Sequence, residues 1–309
     1  MNNNINNFRN MREAKKNSRM HSGALTRFFF MSSAALAIIS AANVSATEVR
    51  KYNNFAEAQT AAKEANLPIL IDFYTDWCKY CKQMDTATFA DPKVITWLNK
   101  NVIFAKIDSE DENKDRTAFA ESYGVRGYPT FALVRADGSE LDRAVGFLDS
   151  EHFITTFTEY KNDQNTLNDF LRRLDKQPSA KLHYDIGEKL RWRGKSAEAE
   201  AHFASAISLD KDNSAGIAAD CKWSLADLAR RDKNYPAAIK RYKELIASFP
   251  DYEKVTDAHL YVGLCLRDAG QRQEAIAQFE RFKALFPDSE DVEYADKKIK
   301  QIKEDIEGS

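Results

Sequence analysis

The sequence predicts an α/β domain followed by an all-α helical-repeat domain. Two observations predict this fold class. Residues 48–161 alternate between helical and strand patterns, whereas residues 179–309 contain no strand signal and repeat one helical pattern three times. The 309 residues are 43% hydrophobic and 30% charged, an ordinary soluble composition with enough length for about two domains.

The N-terminal segment, residues 1–46, has the three parts of a secretory signal peptide. Arg27 precedes the uncharged residues 28–47, which begin with an apolar stretch, and Val44-Ser45-Ala46 is a small-x-small cleavage pattern. We expect cleavage after Ala46 and a periplasmic or secreted protein, in which disulfide chemistry is permitted. An uncleaved membrane anchor is the alternative, but the segment is barely long enough to span a bilayer and its serines reduce its apolar character.

The α/β domain, residues 48–161, begins with a β-α-β pattern and ends with a hairpin and a helix. Pro92 suits a helix start, Gly124 suits a helix stop, and residues 136–139 suit a hairpin turn. A mixed sheet with helices on both faces is expected. The predicted helices are residues 55–65, 79–86, 91–100, 114–123 and 150–160; the predicted strands are 67–74, 102–108, 130–134 and 140–145.

Residues 162–178 are polar and are predicted to connect the two domains, with a short helix at 167–174. The repeats follow over residues 179–309. Three alanines each stand four residues before an aromatic, at spacings of 39 and 37 residues: Ala199, Ala238 and Ala275. Twelve residues before each alanine stands another small residue: Gly187, Ala226 and Gly263. Small residues at both positions let paired helices approach, and the aromatic fills the next groove.

This pattern resembles tetratricopeptide-type repeats over roughly residues 180–290. The resemblance implies a concave surface that binds a protein partner. Residues 291–306 are expected to form a polar capping helix.

Two of the four cysteines, Cys78 and Cys81, stand two residues apart directly after the strand at 67–74. A structural zinc site needs four ligands, and the other two cysteines, Cys221 and Cys265, stand alone in the sequence, so a zinc site is weakly supported. These two cysteines are expected to be buried free thiols. A structural disulfide is also weakly supported, because so short a loop constrains the unfolded chain little. A redox dithiol fits the placement better, and no metal or other cofactor is expected.

The redox interpretation assigns different tasks to the two sulfurs. A helix that begins at Cys78 favours the thiolate form of this residue, because the N-terminus of a helix carries partial positive charge. The positive charge of Lys79 favours the thiolate as well. Cys81, one turn later, can attack a mixed disulfide formed on Cys78. We therefore expect an exposed nucleophile at Cys78 and a buried resolving thiol at Cys81.

Two distant features agree with a dithiol site. Asp72 interrupts an otherwise apolar strand, and a carboxylate buried there would have a raised pKa and accept the proton of Cys81. Gly127-Tyr128-Pro129-Thr130 precedes a strand, and the X-Pro bond is a candidate for the cis form. Such a loop can pair its backbone with a substrate strand.

With these motifs, residues 48–161 resemble the thioredoxin family. Asp72, the Trp77–Lys82 segment and Gly127–Thr130 occupy the family's buried-acid, active-site and cis-proline positions. Within the family, residues 70–94 look most like the C-terminal periplasmic domain of the thiol:disulfide interchange protein DsbD. The resemblance implies that Trp77 covers Cys78 and that Asp85 holds the place of a second acid.

Four residues are expected to modulate the dithiol rather than to react. Lys79 and Tyr80, between the cysteines, tune its potential, and Asp85 acts through its charge. Asp76 either modulates the thiols or simply caps the helix. The residues expected to bind substrate are Trp77, Tyr128, Pro129 and Thr130.

We therefore predict an exported thiol:disulfide oxidoreductase, reductive in direction, that acts on protein disulfides. It needs an electron-donor or acceptor protein, and its repeats bind a further protein partner. The alternative is a periplasmic scaffold whose thioredoxin-like domain docks or senses redox state. Nucleic acid is not an expected partner, because the net charge is −2 and the positive excess lies in the N-terminal segment.

Overall fold

A computed structural model gives the structure of residues 48–110 and 114–307, so the predicted signal segment lies outside the described residues. The sheet of the α/β domain has the order β1-β3-β2-β4-β5. β1, β3 and β2 are parallel, whereas β4 and β5 are antiparallel additions at one edge. The strands are β1 (Lys51–Tyr52), β2 (Ile69–Tyr74), β3 (Ile103–Asp108), β4 (Thr130–Val134) and β5 (Glu140–Val145).

Helices cover both faces of this sheet, as predicted. The helices of the domain are α1 (Phe55–Ala65), α2 (Lys79–Gln83), α3 (Pro92–Asn101), α4 (Lys114–Ser122) and α5 (Ser150–Lys161). Ile69, Ile71 and Phe73 of β2 pack with α1 and α4, whereas Leu70 packs with α3 and α5. Because side chains alternate along a strand, Asp72 points to the same face as Leu70.

Two local features differ from the prediction. The short edge strand β1 carries no apolar alternation and was not predicted from the sequence. The helix predicted at 79–86 is divided, because α2 ends at Gln83 and a π-helical turn, Met84–Thr88, continues it. This turn places Met84 and Thr88 inside the core, where both side chains are 1% exposed.

The second half of the described chain is helical. Its helices are α6 (Leu167–Lys176), α7 (Ala180–Arg191), α8 (Ser196–Leu209), α9 (Ala218–Arg231), α10 (Tyr235–Ser248), α11 (Val255–Asp268), α12 (Arg272–Leu285) and α13 (Val292–Glu307). α7 packs on α8, α9 on α10, and α11 on α12, which is the helix pairing of the predicted repeats. The predicted fold class, an α/β domain plus an all-α repeat domain, is confirmed.

The small residues of the repeat pattern lie where helices meet aromatic rings. A Cβ atom on Gly187 would lie 2.6 Å from the Phe203 ring, and one on Gly263 would lie 2.7 Å from the Phe279 ring. Both rings are fully buried. Glycine is therefore required at these two positions by close packing between the helices of each pair.

The predicted connecting segment contributes to the repeat core. Leu167, Phe170 and Leu174 of α6 pack against the first repeat. The hydroxyl of Thr166 caps α6 by accepting from the amide of Asp169 at 3.0 Å. The helix predicted at 167–174 is thus present, and it fixes the path of the chain between the sheet and the repeats.

A buried carboxylate joins the sheet to the helices. Asp142 of β5 is fully buried, and its oxygens accept from the Arg193 guanidinium at 2.5 Å and the Lys189 ammonium at 2.9 Å. The amide of Leu167, at the start of α6, also donates to Asp142 at 2.6 Å. Arg143, the next residue along β5, donates to the carbonyl of Trp192 at 3.1 Å.

In the part of the chain described, no helix has both the length and the apolar character that crossing a bilayer requires.

Replacement of Asp142 tests the importance of this junction. Asp142→Ala removes the carboxylate that pairs with Lys189 and leaves Arg193 paired with Glu140 alone. Because both cations are largely enclosed at this junction, we expect a loss of about 3–5 kcal/mol in the free energy of unfolding. Urea denaturation followed by circular dichroism measures the loss.

Glu244→Ala is the control, because its pair with Lys240 is exposed and should change stability by no more than about 1 kcal/mol. Equal effects of the two substitutions would contradict the assigned role of Asp142.

Candidate active site

Cys78 and Cys81 form a disulfide with their Cα atoms 5.3 Å apart. β2 ends at Tyr74, and Cys78 caps the following helix α2. The sulfur of Cys78 accepts from the amide of Cys81 at 3.0 Å. In the reduced protein this amide and the helix dipole favour the thiolate form of Cys78.

The prediction of an exposed Cys78 is wrong for the disulfide form. Cys78 and Cys81 are each 3% exposed. Cys78 is buried because its sulfur accepts a hydrogen bond from the Cys81 amide, which turns the side chain towards the first turn of α2. Two aromatic neighbours are exposed instead, Trp77 at 67% and Tyr80 at 54%. A partner that reaches the disulfide must therefore contact the exposed rings of Trp77 and Tyr80.

Asp72 is the buried acid of the site. Its side chain is 2% exposed, and its Oδ2 atom lies 3.5 Å from the Lys106 ammonium. Its Oδ1 atom is buried and has no hydrogen-bond partner among the described residues. Burial raises the pKa of Asp72 from 3.8 to about 7; Lys106 opposes this rise and Asp85 adds to it. Asp72 can therefore both accept and release a proton near neutral pH.

Lys106 belongs to the site and was missed in the sequence. It stands beside Asp72 in the β2–β3 register, and its ammonium also pairs with Asp85 and lies 4.8 Å from the centre of the Tyr74 ring. Burial lowers the pKa of Lys106, but the two carboxylates outweigh burial and keep this pKa above its ordinary value. The available signal was a single lysine within the apolar strand at residues 102–108.

The other predicted modulators lie around the dithiol. Asp85, whose side chain is 49% exposed, acts on Asp72 directly through its charge and indirectly through Lys106. Asp76, Lys79 and Tyr80 are exposed next to the cysteines. Their positions suit contact with a partner or with solvent.

The loop before β4 reaches the same site. The Tyr128–Pro129 bond is cis, as expected. The Tyr128 ring meets the Trp77 ring edge-on at 5.9 Å, and the Trp77 indole donates to Glu110 at 2.5 Å. The structure thus brings together the tryptophan and the proline loop that the sequence predicted as substrate-binding.

Thr130 lies on the inner side of this loop. Its side chain is 1% exposed, and its hydroxyl donates to the carbonyl of Gly127 at 2.7 Å. We predicted Thr130 as a substrate-binding residue, but its side chain faces the protein interior. Its contribution is to hold the loop from within.

Cys221 and Cys265 are free and fully buried, as predicted. Burial raises the pKa of each thiol to about 12. Both are therefore protonated and inert at neutral pH, in contrast to the dithiol.

Comparisons with known proteins agree with both halves of the fold. Residues 55–161 match the family model of a thioredoxin-like domain, and residues 184–253 and 224–290 match that of a tetratricopeptide repeat. The resemblances proposed from the sequence are confirmed. The first domain is thus a thioredoxin-like domain with a Cys-x-x-Cys disulfide.

Curated relatives include thiol:disulfide interchange proteins DsbD. The protein from Pseudoalteromonas atlantica is 30% identical over 107 residues, which are 34% of this chain and 18% of the relative. The protein from Neisseria meningitidis serogroup A is 33% identical over 105 residues, 34% of this chain and 17% of the relative. The chain thus spans less than a fifth of the length of these two relatives.

Among solved structures, the oxidised C-terminal domain of Neisseria meningitidis DsbD is similar, at 30% identity and a TM-score of 0.33. The likeness covers 36% of this chain and 99% of that domain.

The raised pKa of Asp72 predicts a pH-dependent effect on stability. Between pH 3.8 and about 7 the native protein holds a proton on Asp72 that the unfolded chain releases. The burial penalty therefore appears as the pH rises through this window and is complete above it. We expect Asp72→Asn to stabilise the oxidised protein by up to about 4 kcal/mol at pH 8 and by little at pH 4.

Urea denaturation at several pH values measures this effect. Asp76→Asn is the control, because Asp76 is an exposed acid near the same disulfide. As a substitution at an exposed position, it should change the free energy of unfolding by no more than about 0.5 kcal/mol. A pH-independent effect of Asp72→Asn would contradict the assigned pKa.

Proposed function

We propose that this chain, whose first domain is a thioredoxin-like disulfide oxidoreductase domain, is an exported enzyme that reduces protein disulfides. The observation that carries the proposal is the Cys78–Cys81 disulfide at the start of α2, next along the chain to a strand that buries Asp72. Export is supported by the signal-peptide pattern of residues 28–47.

The proposed reaction transfers two electrons from the dithiol to a substrate disulfide. The Cys78 thiolate attacks one substrate sulfur, which forms a mixed disulfide and expels the other substrate sulfur as a thiolate. The Cys81 thiol gives its proton to the Asp72 carboxylate and attacks the Cys78 sulfur. This second attack expels the remaining substrate thiolate and closes the Cys78–Cys81 disulfide.

The surroundings of the disulfide support this use. A pKa of about 7 lets Asp72 take the proton of Cys81 and return it in the next cycle. The exposed Trp77 and the Tyr128–Pro129 loop form a surface on which an extended substrate chain can lie. A donor protein must then reduce the disulfide again, since the chain's other cysteines are buried thiols.

The tetratricopeptide repeats support a second task, the binding of a protein partner. They also motivate the alternative function of a periplasmic scaffold, because the helical region is longer than the thioredoxin-like domain. A variant with both Cys78 and Cys81 replaced by serine separates the two functions. Full function of this variant in cells would favour the scaffold.

Removal of the nucleophile should abolish activity. We expect Cys78→Ser to lose insulin reduction with dithiothreitol as the electron source, and Cys81→Ser to accumulate a mixed disulfide that non-reducing electrophoresis detects. Cys221→Ala is the matched control, because that thiol is buried and inert, and it should reduce insulin at the wild-type rate. Undiminished reduction by Cys78→Ser would reject the proposed chemistry.

The direction of electron flow follows from the reduction potential. For a reductase we expect a value nearer to that of thioredoxin, about −270 mV, than to that of DsbA, about −120 mV. Equilibration with glutathione or dithiothreitol buffers and alkylation of the free thiols measures it. A potential near that of DsbA, with the pair oxidised in cells, would instead indicate an oxidase.

A further inference from the structure

The segment that leads into the proline loop lies against the repeat domain. A Cβ atom on Gly127 would be 3.2 Å from the Trp192 ring, and one on Gly124 would be 2.8 Å from the carbonyl oxygen of Arg193. Trp192 and Arg193 follow the end of α7. At Gly124, where φ is +59°, a side chain would collide with the Arg193 backbone, whereas at Gly127 it would press on the Trp192 ring.

Two side-chain contacts hold Arg126, which lies between the two glycines. The guanidinium of Arg231, the last residue of α9, donates to the carbonyl of Arg126. The Arg126 guanidinium in turn pairs with the Asp232 carboxylate at 2.5 Å. The backbone and the side chain of one loop residue are therefore both bound to the end of α9.

The groups that hold the loop are themselves fixed. Arg231 donates its Nε–H to Asp227 at 2.6 Å and stacks on Trp192, with its guanidinium carbon 4.5 Å from the ring centre. The Arg191 guanidinium also lies over the Trp192 ring, with its carbon 4.4 Å from the ring centre. Asp227 is 3% exposed and binds Arg191 as well, so a buried ion network ties α7 to α9 behind the loop.

We propose that Arg231 and Trp192 are positioning residues of the dithiol site, and that the repeat domain holds residues 126–130 in the form that binds protein disulfides. This inference rests on the proposed function, because it assigns the loop to substrate binding. The repeat domain then does more than recruit a partner. It supplies part of the support for the substrate-binding surface of the other domain.

The proposal makes different predictions for two classes of substrate. A protein disulfide needs both Cys78 and the backbone of the loop, since its chain must lie beside Tyr128 and Pro129. A small disulfide needs only access to Cys78. Release of the loop from Arg231 should therefore weaken the binding of protein substrates and leave the chemistry at the sulfur unchanged.

The test compares Arg231→Ala with the wild-type full-length protein, each stoichiometrically reduced, in single-turnover reactions with insulin and with hydroxyethyl disulfide. We expect the half-saturating insulin concentration to rise about tenfold, the effect of losing a hydrogen bond from a charged donor. The limiting rate with insulin and the rate with hydroxyethyl disulfide should stay within about twofold of wild type.

Arg230→Ala is the matched control. Arg230 is the neighbouring residue on α9 and also binds Asp227, but its guanidinium lies over the Tyr261 ring at 4.6 Å, within the repeats. It should leave the half-saturating insulin concentration unchanged. Arg231→Lys keeps a charged donor for the Arg126 carbonyl and should lie closer to wild type than Arg231→Ala.

Asp232→Ala provides a second variant that should fold, because its side chain is 33% exposed. This substitution removes the ion pair of the Arg126 side chain, and it should raise the half-saturating insulin concentration, as Arg231→Ala does. The proposal would be overturned if both Arg231→Ala and Asp232→Ala had the half-saturating insulin concentration of the wild type. It would also be overturned if Arg231→Ala reacted more slowly with insulin and with hydroxyethyl disulfide by the same factor. Failure of the wild-type protein on both substrates would instead reject the proposed function.

Discussion

The carboxylate of Asp142 is fully buried where β5 meets the helices, and its two cationic partners come from the turn and helix that open the repeats. A buried charge is tolerated only when its partners are held in place. The position of α7 relative to the sheet is thus fixed by charge satisfaction as well as by packing. The Trp192 contact with the loop before Pro129 depends on that position.

The buried acid of the dithiol site, in contrast to Asp142, has only part of its carboxylate paired. Asp72 is buried with one oxygen lacking a hydrogen-bond partner among the described residues, and Lys106 stands 3.5 Å from the other. This incomplete satisfaction reduces stability at neutral pH, and it also brings the pKa of the acid to about 7. Asp142 and Asp72 are therefore two buried acids of one domain. The first is paired with cations that hold the structure, and the second has the pKa that the proposed proton transfer requires.

Local patterns in the sequence revealed much of this organisation. The Cys-x-x-Cys spacing, the single acid in an apolar strand and the X-Pro before β4 each identified a residue of the site, and repeated glycines and alanines identified the helix pairs. Lys106 was missed because its role arises only from the register between β2 and β3. The Asp142 and Arg231 contacts join residues 51 and 105 positions apart, and no local pattern encodes such pairings.

Burial of Cys221 and Cys265 has a consequence for oxidative folding. Four cysteines allow three fully paired disulfide arrangements, and the oxidising compartment to which we propose the protein is exported would offer all of them to an unfolded chain. The native protein contains only the pair whose members are separated by two residues, while the other two sulfurs are enclosed between helices. Packing of the repeat helices therefore shields the thiols of Cys221 and Cys265 from thiol–disulfide exchange. The Cys78–Cys81 pair is then left as the pair that can exchange with other thiols and disulfides.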